Sequence, residues 1–299
     1  MERMTLSRKE KIPAYAAWGS VCLFWGTTYL AIRIGVRTIP PGLFGGLRFL
    51  TAGLIFVAYL KWRGHAFPQG RELFDMAVVG IALLAISNGL VIWAEQWVPS
   101  SIAALLVATL PFWMAGFEAA LPSGERLTLR KGIGIVIGFS GLVILFLPEI
   151  QTTFDMAYLK GILAMLFAPL CWAAGSMYSK SRPAKSHPLM AASVEMIVAG
   201  IVLLLVGSLF GEWNRFSFDM VGLAATAYLI MFGSIVGYGS FVYALAKLPA
   251  TKVSMYAYVN PVIAVLLGWL ILHERMDWSV ILATGVVLLG VVLVKSSKS

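Results

Sequence analysis

Apolar residues fill this chain in long blocks that short polar segments interrupt. The blocks run at roughly 14–33, 42–60, 75–95, 100–121, 131–148, 158–179, 189–210, 220–246, 250–272 and 278–295. A helix needs about 20 apolar residues to cross the hydrocarbon core of a bilayer, and each block is close to that length. The pattern predicts an all-α polytopic membrane protein with ten transmembrane helices. The longest connections, near 61–74, 122–130, 149–157 and 180–188, are too short to fold alone. No soluble catalytic domain fits between the spans. The first block is too long for a secretory signal core and no small-x-small cleavage site follows it, so it reads as a true span.

The blocks also repeat. Trp25, Pro41 and Gly53 return 147 positions later as Trp172, Pro188 and Gly200. Gly89, Pro99 and Pro111 return 150 later as Gly239, Pro249 and Pro261. Glu125-Arg126 and Gly141 return 149 later as Glu274-Arg275 and Gly290. Two copies of a five-span unit follow, residues 14–148 and 158–295. An odd number of spans makes the second copy insert upside down, an arrangement that secondary transporters use.

Composition agrees: 60% of the residues are hydrophobic and 12% charged, where a soluble domain is nearer half apolar and a quarter charged. The net charge of +9 would suggest nucleic acid only if the basic residues formed one patch. With the N-terminus in the cytoplasm, 17 of the 23 basic residues fall on cytoplasmic segments, five on outer ones, and Arg48 lies inside a span. That bias predicts both termini inside. The surplus charge then faces lipid headgroups, and no nucleic-acid partner is expected. The Glu-Arg turns fall on opposite faces, Glu125-Arg126 inside and Glu274-Arg275 outside, as inversion requires. Cys22 and Cys171 each sit within a span, so they read as packing residues rather than a disulfide.

Prolines and glycines give the spans their anatomy. Pro99 and Pro249 open helices, where a missing N–H costs nothing. Pro111 and Pro261 lie about twelve residues further in, where each ring frees the carbonyl four residues back, Val107 or Ala257. Lipid cannot satisfy such a carbonyl, so both kinks must face protein or a watery cavity, as packing bends or as hinges. Pro169 interrupts the sixth span in the same way. Gly134, Gly138 and Gly141 in the fifth span, with Gly285 and Gly290 in the tenth, let helix backbones approach closely. These two spans read as scaffold or as the surface of a homodimer, so monomer and homodimer both stay open.

Polar groups at membrane depth are costly unless paired or wetted, so they carry the functional signal. Asn88 and Glu95 are seven apart on one helix face, with Glu95 near the outer end. It is either an interfacial carboxylate in water or a mouth residue for a cation or proton. Arg48 and Glu195 hold equivalent repeat positions with opposite charge, each about seven residues into its span. Inversion mirrors their depths, Arg48 in the outer half and Glu195 in the inner half, so a direct salt bridge is not expected. Each serves substrate, a gate or a neighbouring helix. Trp25 and Trp172 are repeat mates too deep for the interfacial belt, and they stack on a solute or fill the core. Tyr29, Tyr238, Tyr258 and Asn260 also lie within spans, with Asn260 beside the carbonyl that Pro261 frees.

Several of these strings resemble a known family. They are Trp25-Gly-Thr-Thr-Tyr-Leu-Ala-Ile-Arg33-Ile-Gly35, Pro40-Pro41, Leu47-Arg48-Phe49 and the run from Asn88-Gly89 through Glu95 to Val98-Pro99-Ser100. Glu195-Met196, Phe232-Gly-Ser-Ile235 and Tyr256-Ala-Tyr-Val-Asn-Pro-Val262 with Gly268 belong to the same pattern. Over nearly its whole length the chain is similar to the EamA-like family of the drug/metabolite transporter superfamily, and in particular to YedA-like bacterial inner-membrane permeases. The resemblance implies two inverted five-helix repeats. Helices one to four and six to nine would surround a central cavity, with five and ten standing apart. It implies no cofactor, no shared catalytic residues and no single substrate. Glu195 departs from the neutral residue usual in the seventh span, which points to cationic or zwitterionic solutes.

Two rivals fail on chemistry. Val236-Gly237-Tyr238-Gly239 mimics part of a potassium filter, but it sits inside one span rather than in a re-entrant loop. An intramembrane enzyme needs a nucleophile with a base, a carboxylate pair or metal ligands. His65, His187 and His273 all lie in loops or at span ends. The sequence therefore predicts no enzyme. It predicts an alternating-access exporter of small metabolites, such as amino acids or organic cations and drugs, in the cytoplasmic membrane of a bacterium. Trp25, Tyr29, Arg48, Asn88, Trp172, Tyr238, Tyr258 and Asn260 would line its cavity. Glu95, Glu195, Pro111 and Pro261 would serve coupling or gating, with the proton as the candidate ion. An uncoupled facilitator is the alternative within the class.

Overall fold

A computed structural model describes residues 8–120, 128–150, 155–217, 219–248 and 253–296. Glu125-Arg126 and Pro249 lie outside the described residues, as does the side chain of Tyr258. The helices, in chain order, are α1 Arg8–Gly35, α2 Pro41–Trp62, α3 Arg71–Ala94, α4 in two pieces at Ser100–Val107 and Leu110–Ala120, and α5 Leu129–Ile150. The second half has α6 Met156–Ser181, α7 Pro188–Leu209, α8 Met220–Lys247, α9 Tyr256–Leu272 and α10 Trp278–Ser296. A 3₁₀ turn, Glu212–Arg215, joins α7 to α8. Six of these, α2, α3, the 100–117 stretch of α4, α6, α7 and α8, are long and apolar enough to cross a membrane. Shorter apolar stretches at Val259–Leu272 and Trp278–Gly290 add to them. Leu209, Phe210, Leu205, Met220 and Leu282 are exposed, an apolar surface that suits lipid and not water.

The two halves make the same contacts with roles exchanged. α1 packs on α9 as α6 packs on α4, α3 on α6 as α8 on α1, and α3 on α7 as α8 on α2. α2 packs on its own mate α7, and α5 on α10. The register of these mates fixes the relation between the halves. Along α2, Gly42 abuts Gly207, Gly46 abuts Leu204, Leu50 abuts Gly200 and Gly53 abuts Ile197. Along α5, Gly138 abuts Gly290 and Gly141 abuts Val287. Position numbers rise on one helix as they fall on the other, so each helix is antiparallel to its repeat mate. Copies of like orientation would place mates parallel. The antiparallel seams are the inversion itself.

The glycines of α5 and α10 are mostly consumed inside the chain. Gly138 faces the Phe112 ring and Gly290 lies on the backbone of Gly134 and Gly138. Small residues on these helices thus serve an internal seam, a scaffold use. Gly285 has no neighbour within 4 Å of where a Cβ would stand.

Acidic side chains tie helix starts to the opposite half. Glu274, in the α9–α10 connection, accepts from the backbone N–H of Ser100 (2.8 Å) and Ser101 (3.0 Å) and from their hydroxyls (2.8 and 2.6 Å). It caps the start of α4 after Pro99, where the first turn's N–H groups have no acceptor within the helix. Glu212 accepts from the Leu43 N–H at 2.9 Å and does the same for α2. At the other end of the bundle, Glu72 accepts from the N–H groups of Lys185 (2.8 Å) and Ser186 (2.7 Å) ahead of α7.

His187 opens α7, its Nδ1 accepting from the Leu189 N–H at 3.3 Å, and its ring lies 4.5 Å from that of His65. Burial first, and then the neighbouring His65, hold His187 below the usual histidine range. The neutral ring is therefore the one the fold favours. Its contribution is full above the ordinary histidine pKa of about 6.5 and is lost as pH falls from there through the lower folded value. Thermal unfolding of the detergent-solubilised protein should come at lower temperature at pH 5.5 than at pH 7.5. His65→Gln should flatten that slope, and an identical slope in the variant would remove the pair as its cause.

Candidate functional site

The helices meet around a central cavity of about 50 Å³. Its wall comes from α1 (Trp25, Thr28, Tyr29), α2 (Arg48, Phe49), α3 (Ser87, Asn88), α4 (Val107), α6 (Pro169, Trp172), α8 (Gly233, Tyr238) and α9 (Tyr256). No described residue of α5 or α10 reaches it.

Local backbone explains why polar groups gather there. In α3 the stretch Ile81–Asn88 is wound as a π-helix, and so is Leu229–Tyr238 in α8. With a repeat offset of 150, the two stretches end at mates, Asn88 and Tyr238. A π turn widens the helix and shifts its ladder by one residue, and such turns concentrate at functional sites. Side chains of other helices take up its polar groups. Trp25 Nε1 donates to the Gly233 carbonyl at 3.0 Å. Arg48 Nε donates to Ser234 Oγ at 2.9 Å, and Ser87 Oγ donates to the Ala168 carbonyl at 2.6 Å. In α4 the helix breaks between Val107 and Leu110, just ahead of Pro111. Thr109 Oγ1 donates to the Leu106 carbonyl there, at 2.7 Å. The second half differs: Pro261 stays inside α9, and the turn comes earlier, at Ser254–Met255.

Rings close the inner part of the cavity. Trp25 stands edge-on to Trp172 (5.3 Å, 88°) and to Tyr256 (5.0 Å, 90°). Phe241 sits 5.2 Å from Trp25 and 5.4 Å from Trp172. Edge-to-face pairs of this kind add about 0.5–1.5 kcal/mol each beyond the area they bury. Trp25 and Trp172 therefore act both as core and as cavity wall.

The charged groups are held separately. Arg48 is 3% exposed and bonded to Ser234 and, at 3.5 Å, to Asn88 Oδ1. Glu195, also 3% exposed, accepts from the Tyr238 hydroxyl at 2.5 Å. Gly80 of α3 lies against the Glu195 backbone, where a Cβ would stand 2.4 Å from its carbonyl oxygen. Arg48 and Glu195 share no bond, in keeping with their mirrored depths. Glu95 is fully buried and both its carboxylate oxygens lack a hydrogen-bond partner among the described residues. Arg33 donates to its backbone carbonyl instead.

Of the expected cavity residues, Trp25, Tyr29, Arg48, Asn88, Trp172 and Tyr238 come together in the wall. Asn260 does not. Its amide nitrogen, in the orientation that satisfies both ends, donates to the Cys22 (3.0 Å) and Tyr256 (3.1 Å) carbonyls and stitches α9 to α1. Glu95 and Glu195 lie behind the wall, Glu195 linked to it through Tyr238. Reading the sequence missed Ser87 and Ser234. Their only signal was a small polar residue one turn or less from each conspicuous Asn88 or Tyr238.

A helical polytopic membrane protein with a largely aromatic cavity, carrying a few polar groups, between antiparallel repeats has the architecture of a transporter. The EamA-like transporter family model matches residues 15–147 and again 159–296, so the chain belongs to that family and is a membrane transporter of the drug/metabolite superfamily. It is 36% identical over 291 residues to the inner membrane transporter YedA of Escherichia coli K12, covering 97% of this chain and 93% of YedA. It is 31% identical to the protein PagO of Salmonella typhimurium over 82% of this chain and 80% of PagO. A solved crystal structure superposes with a TM-score of 0.69 at 21% identity, over 94% of this chain and 95% of its own, a likeness of fold alone.

Proposed function

We propose that this protein is an alternating-access secondary carrier that exports small metabolites across the cytoplasmic membrane of a bacterium. One observation carries the reading: mated π-helical stretches of α3 and α8 face a single cavity from opposite, inverted halves. Rocking one half against the other about the α2–α7 seam would open that cavity first to one side and then to the other. The similarity to YedA supports the inner membrane. Glu195, joined to the cavity by Tyr238, is the proposed coupling carboxylate, and Glu95, buried without a partner, is the second.

Purified protein in liposomes, assayed with a panel of radiolabelled amino acids and hydroxy acids, tests this. At least one solute should exchange across the membrane, and an imposed pH gradient should drive its net movement. Exchange that ignores the gradient would leave an uncoupled facilitator. No exchange of any member would remove the carrier reading for that panel.

A further inference from the structure

We propose that the central cavity takes a small organic anion, a single-ring carboxylic acid without an ammonium group, bound by Arg48 and the indole N–H of Trp172. The proposal rests on the carrier reading of the same cavity. Three observations on the wall lead to it.

The first is charge. Arg48 is the one charged residue among the described lining residues, and no carboxylate joins it there. Among the described residues the only ion pair within 4 Å is Arg71–Asp75, so Arg48 has no counterion at that range. Glu95 lies behind the wall, outside the lining residues. Nε and Nη1 of Arg48 are bonded to Ser234 and Asn88, and among the described residues Nη2 has no hydrogen bond. A guanidinium anchored on one side with a free terminal nitrogen is suited to a carboxylate oxygen.

The second is an orphan donor. Trp172 is 7% exposed, and its Nε1 is buried with no partner among the described residues. Its repeat mate Trp25 spends the same N–H on Gly233. Buried donors are nearly always paired, so this one, on a residue of the cavity wall, calls for an acceptor from outside the chain, to be reached when the packing around it loosens. Both unused groups are donors, and a carboxylate group supplies acceptors only.

The third is size and shape. About 50 Å³ holds about four waters, less than the volume of one ring, so a ring with a short side group enters only as the two halves move apart. The aromatic wall would also attract an organic cation through its ring faces. Here the Trp25, Trp172 and Tyr256 rings turn faces and edges on one another, and Arg48 repels a second positive charge in a medium that screens poorly. Repulsion wins, so the expectation of organic cations gives way to acids.

The test uses four single-ring probes of similar size, mandelate, mandelamide, 2-amino-1-phenylethanol and phenylalanine, with the full-length purified protein. Mandelate should raise the unfolding temperature and bind most tightly by calorimetry. Arg48→Gln should weaken mandelate about tenfold to a hundredfold and leave mandelamide within about twofold. Trp172→Phe keeps an aromatic ring but removes the five-membered part of the indole with its N–H. It should weaken mandelate and mandelamide alike by several-fold, which keeps the test alive if Arg48→Gln does not fold. Tighter binding of the amine, of the amide or of phenylalanine overturns the anion site while leaving the carrier reading intact, and so does no binding by mandelate. Mandelate that binds but does not exchange across liposomes supports the site and sinks the carrier reading instead.

Discussion

Gly200→Leu is expected to abolish recovery of folded protein. The α2–α7 seam is an extended contact between mated helices, and it runs on glycine. A Cβ at position 200 would stand 2.4 Å from the Leu50 nitrogen and 2.8 Å from its Cα. Both atoms belong to helix backbone, so no rotamer change relieves the contact. The helices would have to separate, and Gly42, Gly46, Gly53 and Gly207 would lose their close packing with them. In a membrane that packing is the main force holding helices together, because lipid tails solvate apolar surface as well as leucine does. Overpacking against movable side chains costs about 1–3 kcal/mol, and a backbone clash costs more. Against a total stability of about 5–15 kcal/mol, that removes most of the margin. Size-exclusion profiles and thermal unfolding after detergent extraction should show aggregate only. Gly285→Ala is the control, since its Cβ would meet nothing within 4 Å and alanine favours helix by about 1 kcal/mol. A Gly200→Leu protein that elutes and melts like the parent would mean the seam is far softer than its geometry.

The same seam shows what could be read in the chain and what could not. The repeat was visible because glycine and proline are irreplaceable where backbones touch or helices start, so their spacing survives in both copies. Inversion followed from charge, since lysine and arginine mark cytoplasmic loops whatever the fold. The faces of the helices were much harder. In water an amphipathic helix advertises its buried side, but here the lipid-facing side of α7 (Leu205, Leu209) is as apolar as its buried side (Val194, Leu203). Asn260 was expected in the cavity because an amide beside a proline looked like a gate. Its side chain instead pairs with the carbonyls of Cys22 and Tyr256, a use that depends on where α1 passes and so has no local signal. The π turns were equally hidden, because a one-residue shift in the ladder leaves hydrophobic periodicity almost unchanged. The four-bond cap made by Glu274 needed two residues 174 apart to meet. The Glu-Arg turn gave its position without naming its partners.

Glu195→Gln is expected to leave a folded protein whose transport no longer answers to pH. Glutamine matches the side chain in size, and its amide oxygen can still accept from the Tyr238 hydroxyl, now 2.5 Å from Glu195 Oε2. The local structure should therefore hold, while the only change is that position 195 can no longer gain or lose a proton. Net flux driven by a pH gradient in liposomes should fall at least about tenfold, with exchange at equal pH kept within a few-fold. Tyr238→Phe makes the converse cut. It keeps the carboxyl but removes its donor, leaving a buried polar group unpaired at a cost of about 1–3 kcal/mol. That variant should melt earlier yet still respond to the gradient. The two variants separate a structural role from a coupling role. If Glu195 only braces α7 against α8, Glu195→Gln should be nearly silent and Tyr238→Phe should cost stability alone. If Glu195 carries the proton, the gradient response should vanish in the glutamine variant and survive in the phenylalanine one. A response retained in both would move the coupling site to Glu95, whose unpartnered oxygens make it the next carboxylate to test.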